Sequence, residues 1–261
     1  MFNTFFMPAR KPVVLMILDG WGIREFHEGN AVTHANTPNY NYWLKNIERS
    51  VVDASGEAVG LIAEQMGNSE VGHLNLGAGR IIYQDILRID KSIQDESFFS
   101  NATLLKAIDK AKSGSKLHLI GLLSTGGVHA HTRHLYALLD LCDKNQVEPI
   151  VHVITDGRDM PSDSGLGLVE DLEARLAKTG NGRIATVSGR YYAMDRDKRW
   201  ERTGWAYNNM RNASSDRSFS SASECVKASY AEGVTDEFIK PAVIGERTTL
   251  DDGDAVIIYN F

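Results

Sequence analysis

The sequence has only two cysteines, no long apolar run and no excess of positive charge, and each shortage excludes a class of protein. Cys142 and Cys225 lie far apart and fit no metal-binding or redox motif, so we expect a reduced protein of the cytoplasm. No stretch of apolar residues is long enough to span a membrane, and residues 1–10 are too short for a signal peptide. The net charge of -6 gives no general attraction to nucleic acid or to anionic membranes. We therefore expect neither a nucleic acid nor a membrane as partner.

The composition is that of an ordinary globular protein. Hydrophobic residues make up 43% of the chain and charged residues 24%. A chain of 261 residues can bury a substantial core, as one large domain or two smaller ones.

Residues 65–80 form a glycine-rich stretch around Ser69. Glycine lets the backbone turn sharply and approach a ligand closely, and a helix opening at Ser69 would direct its first amides at a phosphate. Ser69 is a candidate nucleophile, although a hydroxyl is weak until a base or a metal activates it. No histidine stands at the spacing of a known triad, and the Gly-x-Ser-x-Gly elbow is absent. By itself the stretch is equally compatible with a connector and with an active site.

Residues 13–18 are a continuous apolar run that ends at Asp19 and Gly20. Such a run, bounded by a turn, predicts a strand buried on both faces. Asp19 would then stand at the carboxyl end of a central strand, where open α/β sheets bind ligands. Two roles for its carboxylate stay open, a hard-metal ligand and a cap on the following turn.

The second part of the chain alternates strands and helices, which predicts a parallel sheet with right-handed crossovers. Other helices are expected over residues 40–46 and 86–93, after Asn101 and over residues 223–232. Further strands are expected over residues 242–245 and 255–259. The alternating elements are strands 116–123, 150–155 and 183–188 and helices 132–144, 164–178 and 200–209, of which the helix 164–178 should end at Gly180.

The loops after these three strands carry the most informative side chains. In a parallel sheet they share one edge, so their side chains converge on one cleft. Several arginines in a net-acidic protein indicate a small anion bound bidentately. The alternative is that the arginines are solvated or paired with nearby aspartates. The converging residues are His129, Arg158, Asp159, Arg190 and Arg196, and the competing aspartates are Asp156, Asp195 and Asp197.

The spacing of His129, His131 and His134 also suggests a shared metal ion. His134, however, falls within a predicted helix. We therefore favour one imidazole in contact with substrate, at His129, and a structural role for the other two.

Five motifs in this order resemble the cofactor-independent phosphoglycerate mutases, which belong to the alkaline-phosphatase-like metalloenzymes. They are Leu-Asp-Gly-Trp-Gly at residues 18–22, the stretch 66–80, Gly-Gly-Val-His at 126–129, Asp-Gly-Arg-Asp at 156–159 and the basic segment 188–202. The order and spacing of the five make the resemblance specific, and it extends over nearly the whole chain.

The resemblance implies an α/β fold of parallel-sheet, three-layer domains. Residues 1–83 would be the N-terminal part of an incomplete phosphatase-like domain that holds metal and nucleophile. Residues 84–261 would be an inserted substrate-binding phosphotransferase domain whose C-terminal end is missing. By this resemblance the chain corresponds to the N-terminal half of a family member. The other half would supply an Arg-x-x-Arg loop, a lysine near the serine and the remaining Asp and His metal ligands.

The chemistry implied by the resemblance is interconversion of 3-phosphoglycerate and 2-phosphoglycerate in glycolysis and gluconeogenesis. Ser69 would carry the phosphate as a phosphoserine beside two manganese ions, with Asp19 and Ser69 among the metal ligands. Asp159 would exchange protons with the glycerate hydroxyls. The substrate would be held by His129, Arg158, Asp159, Arg190 and Arg196, in a monomer.

Two other functions stay open at this point. A truncated, catalytically inactive fragment would bind phosphoglycerate-like anions without turning them over, since it would keep the arginines and lack most metal ligands. A plain metallophosphatase would need the serine and the metals but not the strand-end arginines, so the arginines argue against it.

Overall fold

The computed structural model describes residues 11–24, 26–63 and 65–261. The chain divides into two compact units, of which the first ends at Ile82 and the second is Tyr83–Phe261. The assignment of residues 1–83 to a phosphatase-like domain and of residues 84–261 to a phosphotransferase domain stays a prediction. Within the described ranges, no helix is both long and apolar enough to cross a membrane.

The described part of the first unit consists of helices and loops around a small apolar core of Val59, Leu61 and Val71. The helix predicted over residues 40–46 is confirmed and begins two residues earlier, at a proline that suits the first turn. The helices of the first unit are α1 (Ala31–His34), α2 (Pro38–Asn46) and α3 (Ser69–Ala78), with a 3-10 helix at Gly56–Val59.

The strand predicted over residues 13–18 is wrong for this structure. These residues form no regular element, and their side chains are exposed, from 43% for Ile17 to 96% for Val13. A buried parallel strand needs neighbouring strands to satisfy its backbone and layers to cover both faces. The described residues of the first unit contain no strand that could pair with this run. Asp19 therefore does not stand at a strand end, and a parallel sheet is not observed in this unit's described residues.

The second unit is built on a six-stranded sheet in the order β4-β5-β3-β2-β1-β6, which confirms the α/β prediction. β1, β2, β3 and β6 are parallel to their neighbours in this group, whereas β5 is antiparallel to β3. All five predicted strands of this unit are present within about two residues of their expected bounds, and the short β4 was not predicted. The strands are β1 (Leu117–Leu123), β2 (Pro149–Thr155), β3 (Arg183–Gly189), β4 (Ser218–Phe219), β5 (Ala242–Ile244) and β6 (Ala255–Ile258).

The helices of the second unit begin and end where local capping predicts. The Asn101 side chain accepts hydrogen bonds from the amides of Thr103 and Leu104 and so caps α5. Helix α7 ends at Gly180, whose φ of +63° is a left-handed conformation that favours glycine. The helices are α4 (Asp85–Gln94), α5 (Ala102–Lys112), α6 (Thr132–Asn145), α7 (Gly165–Thr179), α8 (Arg190–Ala193), α9 (Trp200–Asn212) and α10 (Ala222–Ala231), with 3-10 helices at Ser97–Ser100 and Asp236–Phe238.

The core of the second unit lies on the central strands. Leu119 on β1, Val151 on β2 and Val187 on β3 are fully buried, as expected for strands covered on both faces. Cys142 on α6 is also buried in this core, which confirms its expected structural position. Burying these apolar side chains stabilises the sheet and thereby holds the loops at its edge in place.

Candidate functional site

Ser69 is the first residue of α3 in the first unit. The Asn68 side chain caps this helix by accepting a hydrogen bond from the Val71 amide at 3.0 Å. The Ser69 hydroxyl donates a hydrogen bond of 2.7 Å to Oδ2 of Asp19. The two side chains are therefore close enough to contact one ion or one phosphate together.

Asp19 reaches Ser69 from a tight turn. The Trp21 amide donates to the Leu18 carbonyl at 3.1 Å, and Gly20 has a φ of +74°, which glycine adopts without strain. The Asp19 carboxylate contacts the Ser69 hydroxyl across 50 residues of sequence. This contact favours a role beside Ser69 over a cap on the turn.

The oxygen atoms of Asp19 and Ser69 suit a hard divalent cation such as manganese. They fit only part of a coordination shell, because such ions take about six ligands. Among the residues that the structure describes, no group of three or more His, Cys, Asp or Glu side chains is arranged to hold a metal ion. The chain thus offers a partial donor set.

The last residues of β1, β2 and β3 lie side by side in the sheet, so the three strand-end loops of the second unit start at the same level. Leu123, the last residue of β1, pairs with Thr155 on β2, which pairs in turn with Gly189 on β3. The loops that follow therefore leave the sheet at the same edge, as expected for parallel strands.

Arg190 lies at the centre of this edge. Its Nη1 is 2.7 Å from Oδ1 of Asp156 and 2.6 Å from Oδ2 of Asp159. The residue is only 7% exposed. Burial alone would lower the pKa of Arg190, but Asp159 and Asp156 raise it above its usual value, so the guanidinium stays charged. Nε2 of His129 is 3.9 Å from the same Asp159 oxygen, so the structure brings these side chains together.

Asp156 is the most buried carboxylate of the group, at 2% exposure. Burial opposes its ionisation, yet hydrogen bonds from Ser124, the Asp159 amide, Arg190 and the Arg158 amide lower its pKa below the usual range. The pairing of Arg190 with Asp156 agrees with the alternative prediction that some arginines are paired with aspartates. It does not exclude anion binding, because Arg190 has further donors in its guanidinium group.

Arg158 and Arg196 differ from Arg190 in being exposed. Nε of Arg158 lies 3.8 Å from Oε1 of Glu237. Arg196 is exposed and, within the part of the chain that the structure describes, makes no ion pair or hydrogen bond. Asp195 accepts from the Arg199 amide and pairs with Arg202, so it does not neutralise Arg196.

His131 and His134 have structural positions. The His131 ring caps α6 by accepting a hydrogen bond from the Arg133 amide at 3.2 Å. The His134 side chain is buried, and its Nε2 lies 2.8 Å from Oδ1 of Asp90. Burial and the neighbouring Arg133 and His134 lower the pKa of His131 to about 4. Neither ring is directed with His129 at a common ion.

Comparison with known proteins places this arrangement in a family. The family described as "BPG-independent PGAM N-terminus (iPGM_N)" matches residues 89–261. The chain belongs to this family. The resemblance inferred from the five motifs is therefore confirmed.

Relatives of this iPGM_N chain are named 2,3-bisphosphoglycerate-independent phosphoglycerate mutases. That of Staphylococcus aureus strain MRSA252 is 52% identical over 256 residues, covering 97% of this chain and 50% of the relative. That of Moorella thermoacetica is 51% identical over 259 residues, with the same coverage of 97% and 50%. A second mutase of Methanosarcina acetivorans is 48% identical over 269 residues, covering 100% of this chain and 52% of the relative. The chain thus spans about half the length of the curated relatives it matches.

A solved structure shares the fold of this family member. The phosphoglycerate mutase of Leishmania mexicana, crystallised at low cobalt concentration, superposes with a TM-score of 0.71 at 34% sequence identity. The likeness covers 88% of this chain and 45% of the Leishmania chain.

Two residues at the sheet edge that carries the candidate site were not predicted from the sequence. Ser124 donates a hydrogen bond of 2.6 Å to Oδ2 of Asp156, and its position directly after β1 could have indicated it. Glu237 approaches Arg158 from the 3-10 helix Asp236–Phe238, and no local pattern in the sequence signals that contact.

Proposed function

We propose that this chain supplies the nucleophile and the substrate-holding side chains of a phosphoglycerate mutase. The reaction would interconvert 3-phosphoglycerate and 2-phosphoglycerate in cytoplasmic glycolysis and gluconeogenesis, in a monomer without nucleic acid or membrane partners. The observation that carries the proposal is the convergence of His129, Asp159 and Arg190 at the edge where the three loops leave the sheet. The mutase names of relatives about half identical to this chain support it.

Ser69 would accept the phosphate of the substrate as a phosphoserine. Its hydroxyl stands at the first turn of α3, where backbone amides favour a bound phosphate, and Asp19 orients it through the 2.7 Å hydrogen bond. Asp19 and Ser69 would also be the residues of this chain that hold manganese, of which we propose two ions. A divalent ion at such a site supplies positive charge that activates a hydroxyl and offsets charge on a transferring phosphoryl group.

The second unit would retain glycerate while its other hydroxyl comes into line for the return transfer. Arg158 and Arg196 have exposed guanidinium groups that can bind the carboxylate or phosphate of the substrate bidentately. Arg190, braced by two carboxylates, would present its remaining donors in a fixed direction. Asp159 would exchange protons with the glycerate hydroxyls, and His129 would contact the substrate beside it.

One observation favours a second function for the isolated chain, which is binding of phosphoglycerate-like anions without turnover. The described residues contain no group of three or more metal-ligating side chains. Oxygen ligands from Asp19 and Ser69 are too few to keep a divalent ion in place.

Calorimetric titration of the chain with 3-phosphoglycerate tests the binding step. Arg196→Ala should weaken binding by about 1–3 kcal/mol, the usual cost of losing a hydrogen bond to a charged group. Arg199→Ala is the matched control, because Arg199 is an exposed arginine of the same loop that is not assigned to the site. Equal affinities for wild type and Arg196→Ala would show that Arg196 is only a surface charge. No binding by the wild-type chain would reject the proposed substrate site.

A further inference from the structure

A chain of hydrogen bonds, buried at Ser124 and Asp156, connects the three strand-end loops. The Gly126 amide, in the loop that carries His129, donates to Oγ of Ser124 at 3.0 Å. Ser124 donates in turn to Oδ2 of Asp156 at 2.6 Å, in the loop after β2. The other oxygen of Asp156 accepts from Arg190, which follows β3, at 2.7 Å. One serine and one carboxylate thus join residues from all three loops.

The same Asp156 oxygen also fixes the backbone of the two residues assigned to substrate. Oδ1 accepts from the Arg158 amide at 3.1 Å and from the Asp159 amide at 3.0 Å. Such a double acceptor sets the direction in which the Arg158 and Asp159 side chains leave the turn.

Packing alone does not account for a buried carboxylate at this place. Ser124 is 1% exposed and Asp156 2% exposed, and taking an ionised group out of water is unfavourable unless the group is fully hydrogen-bonded. An apolar pair of similar size would fill the space without that cost. A negative charge beside an anion site also opposes anion binding by simple electrostatics.

A close approach of the loops adds to the constraint. A Cβ atom on Gly126 would lie 3.1 Å from the Asp159 carbonyl oxygen and 3.3 Å from Oγ of Ser124. Gly126 in the loop after β1 therefore lies directly against the backbone of Asp159 in the loop after β2, and its hydrogen bond to Ser124 holds it there.

We propose that Ser124 and Asp156 are positioning residues that join the three loops into one preorganised anion site. Asp156 holds the Arg190 guanidinium at the edge of the sheet and orients the backbone of Arg158 and Asp159. Ser124 fixes Asp156 and, through Gly126, the loop that carries His129. The inference rests on the proposed function only for the identity of the anion.

The test combines 3-phosphoglycerate titration with NMR of the 261-residue chain. Asp156→Asn keeps the shape of the side chain and removes its charge. A merely electrostatic role would make this variant bind the anion more tightly, whereas loss of positioning should weaken binding about tenfold, the effect of losing one charge-assisted hydrogen bond. Ser124→Ala should weaken binding about fivefold, and the double variant should be no weaker than Asp156→Asn alone, since the two residues act in one network. Asp163→Asn, which removes an exposed carboxylate of the same loop, is the charge-matched control.

NMR provides a readout that does not depend on the ligand. Wild type should show slowly exchanging signals for the Arg190 guanidinium and for the Gly126 amide. The Arg190 guanidinium signal should lose its slow exchange in Asp156→Asn, and the Gly126 amide signal should lose it in Ser124→Ala. Both signals should be unchanged in Asp163→Asn. If wild type binds 3-phosphoglycerate and Asp156→Asn binds it as tightly or more tightly, the positioning role is overturned while the proposed function stands. If wild type binds no 3-phosphoglycerate, the proposed function fails, and unchanged signals in both variants would overturn the positioning role separately.

Discussion

Arg190 shows how one side chain serves stability and the candidate site together. It is buried, and its guanidinium forms ion pairs with Asp156 and Asp159 at 2.7 and 2.6 Å. Removing one partner of a buried ion pair leaves uncompensated charge, which costs much more than losing an exposed pair. The same arginine therefore has to be tested for folding before it is tested for binding.

We predict that Arg190→Ala lowers the free energy of unfolding by about 3 kcal/mol, because the buried Asp156 and the partly buried Asp159 lose their counter-charge. Urea denaturation of the purified chain measures it. Arg196→Ala, at an exposed position, should change the free energy by less than about 0.5 kcal/mol. Similar stabilities for both variants would contradict the structural role assigned to Arg190.

Two buried histidines on neighbouring strands of the sheet, His118 on β1 and His152 on β2, are joined by hydrogen bonds. Nδ1 of His118 lies 2.8 Å from Nε2 of His152, whose Nδ1 lies 2.9 Å from Oγ1 of Thr186. Nε2 of His118 lies 3.3 Å from Oδ2 of Asp254. All three hydrogen bonds can form when both imidazole rings are neutral, since each ring then has one donor and one acceptor nitrogen. Burial lowers the pKa of His118, and burial with the neighbouring His118 and Arg183 lowers that of His152 to about 3.

We predict that the chain loses stability as the pH falls below about 6.5, the pKa of an unfolded imidazole. Above that pH both states are neutral, whereas below it the unfolded chain binds protons that folded His152 does not bind until about pH 3. Each such histidine contributes a slope of up to about 1.4 kcal/mol per pH unit. Urea denaturation between pH 7 and pH 5 should show a smaller slope for His152→Gln than for wild type. Equal slopes for wild type and His152→Gln would refute the prediction.

At the scale of elements, β1 and the chain after β6 approach closely because β1 has a glycine at the contact. The Tyr259 hydroxyl donates to the Gly121 carbonyl at 2.9 Å. A Cβ atom at Gly121 would lie 2.5 Å from Cε2 of the Tyr259 ring, which is shorter than any real contact. The fit of the edge strand β6 onto β1 therefore depends on residue 121 being a glycine, which has no side chain.

We predict that Gly121→Ala lowers the free energy of unfolding by about 1–3 kcal/mol, because the added methyl group overpacks this contact. Gly167→Ala is the matched control on α7, where a Cβ atom meets nothing within 4 Å. There alanine should raise the free energy by about 0.5–1 kcal/mol, as it does inside a helix. Thermal unfolding followed by circular dichroism measures both, and a Gly121→Ala variant as stable as wild type would disprove the close fit.

For the molecule as a whole, we predict that the chain by itself does not interconvert phosphoglycerates with manganese supplied. Asp19 and Ser69 lie together, but the described residues provide no group of three metal-ligating side chains. Transfer requires an ion held firmly beside the serine to offset phosphoryl charge. A coupled mutase assay should find no turnover by the chain and full turnover by a family-length enzyme in parallel. Comparable rates would mean that ligands are hidden among other side chains, such as His73 or the acidic loops.

The secondary structure of the second unit could be predicted from the sequence because its signals are local. Helical spacing of apolar residues, the Asn101 cap and the glycine after α7 each act within one or two turns of chain. The convergence of the three loops followed from one general rule, that parallel strands share their carboxyl edge. The five motifs led to the correct family because each is a short run of residues that can be read directly from the sequence: three lie on those loops, one on the Ser69 stretch and one on the turn that carries Asp19.

What only the tertiary structure decided involves contacts between distant parts of the chain. Residues 13–18 have the composition of a buried strand, but a strand forms only where other segments pair with it and cover it. The reversal of β5 against β3, and the approach of Glu237 to Arg158, depend on how the chain returns to the sheet. Ser124 and Asp156 are 32 residues apart, and each looks like an ordinary turn residue in the sequence. Their hydrogen bond exists because β1 and β2 pair in register. The sequence by itself therefore determined most elements of the second unit, and the packing of those elements determined the site.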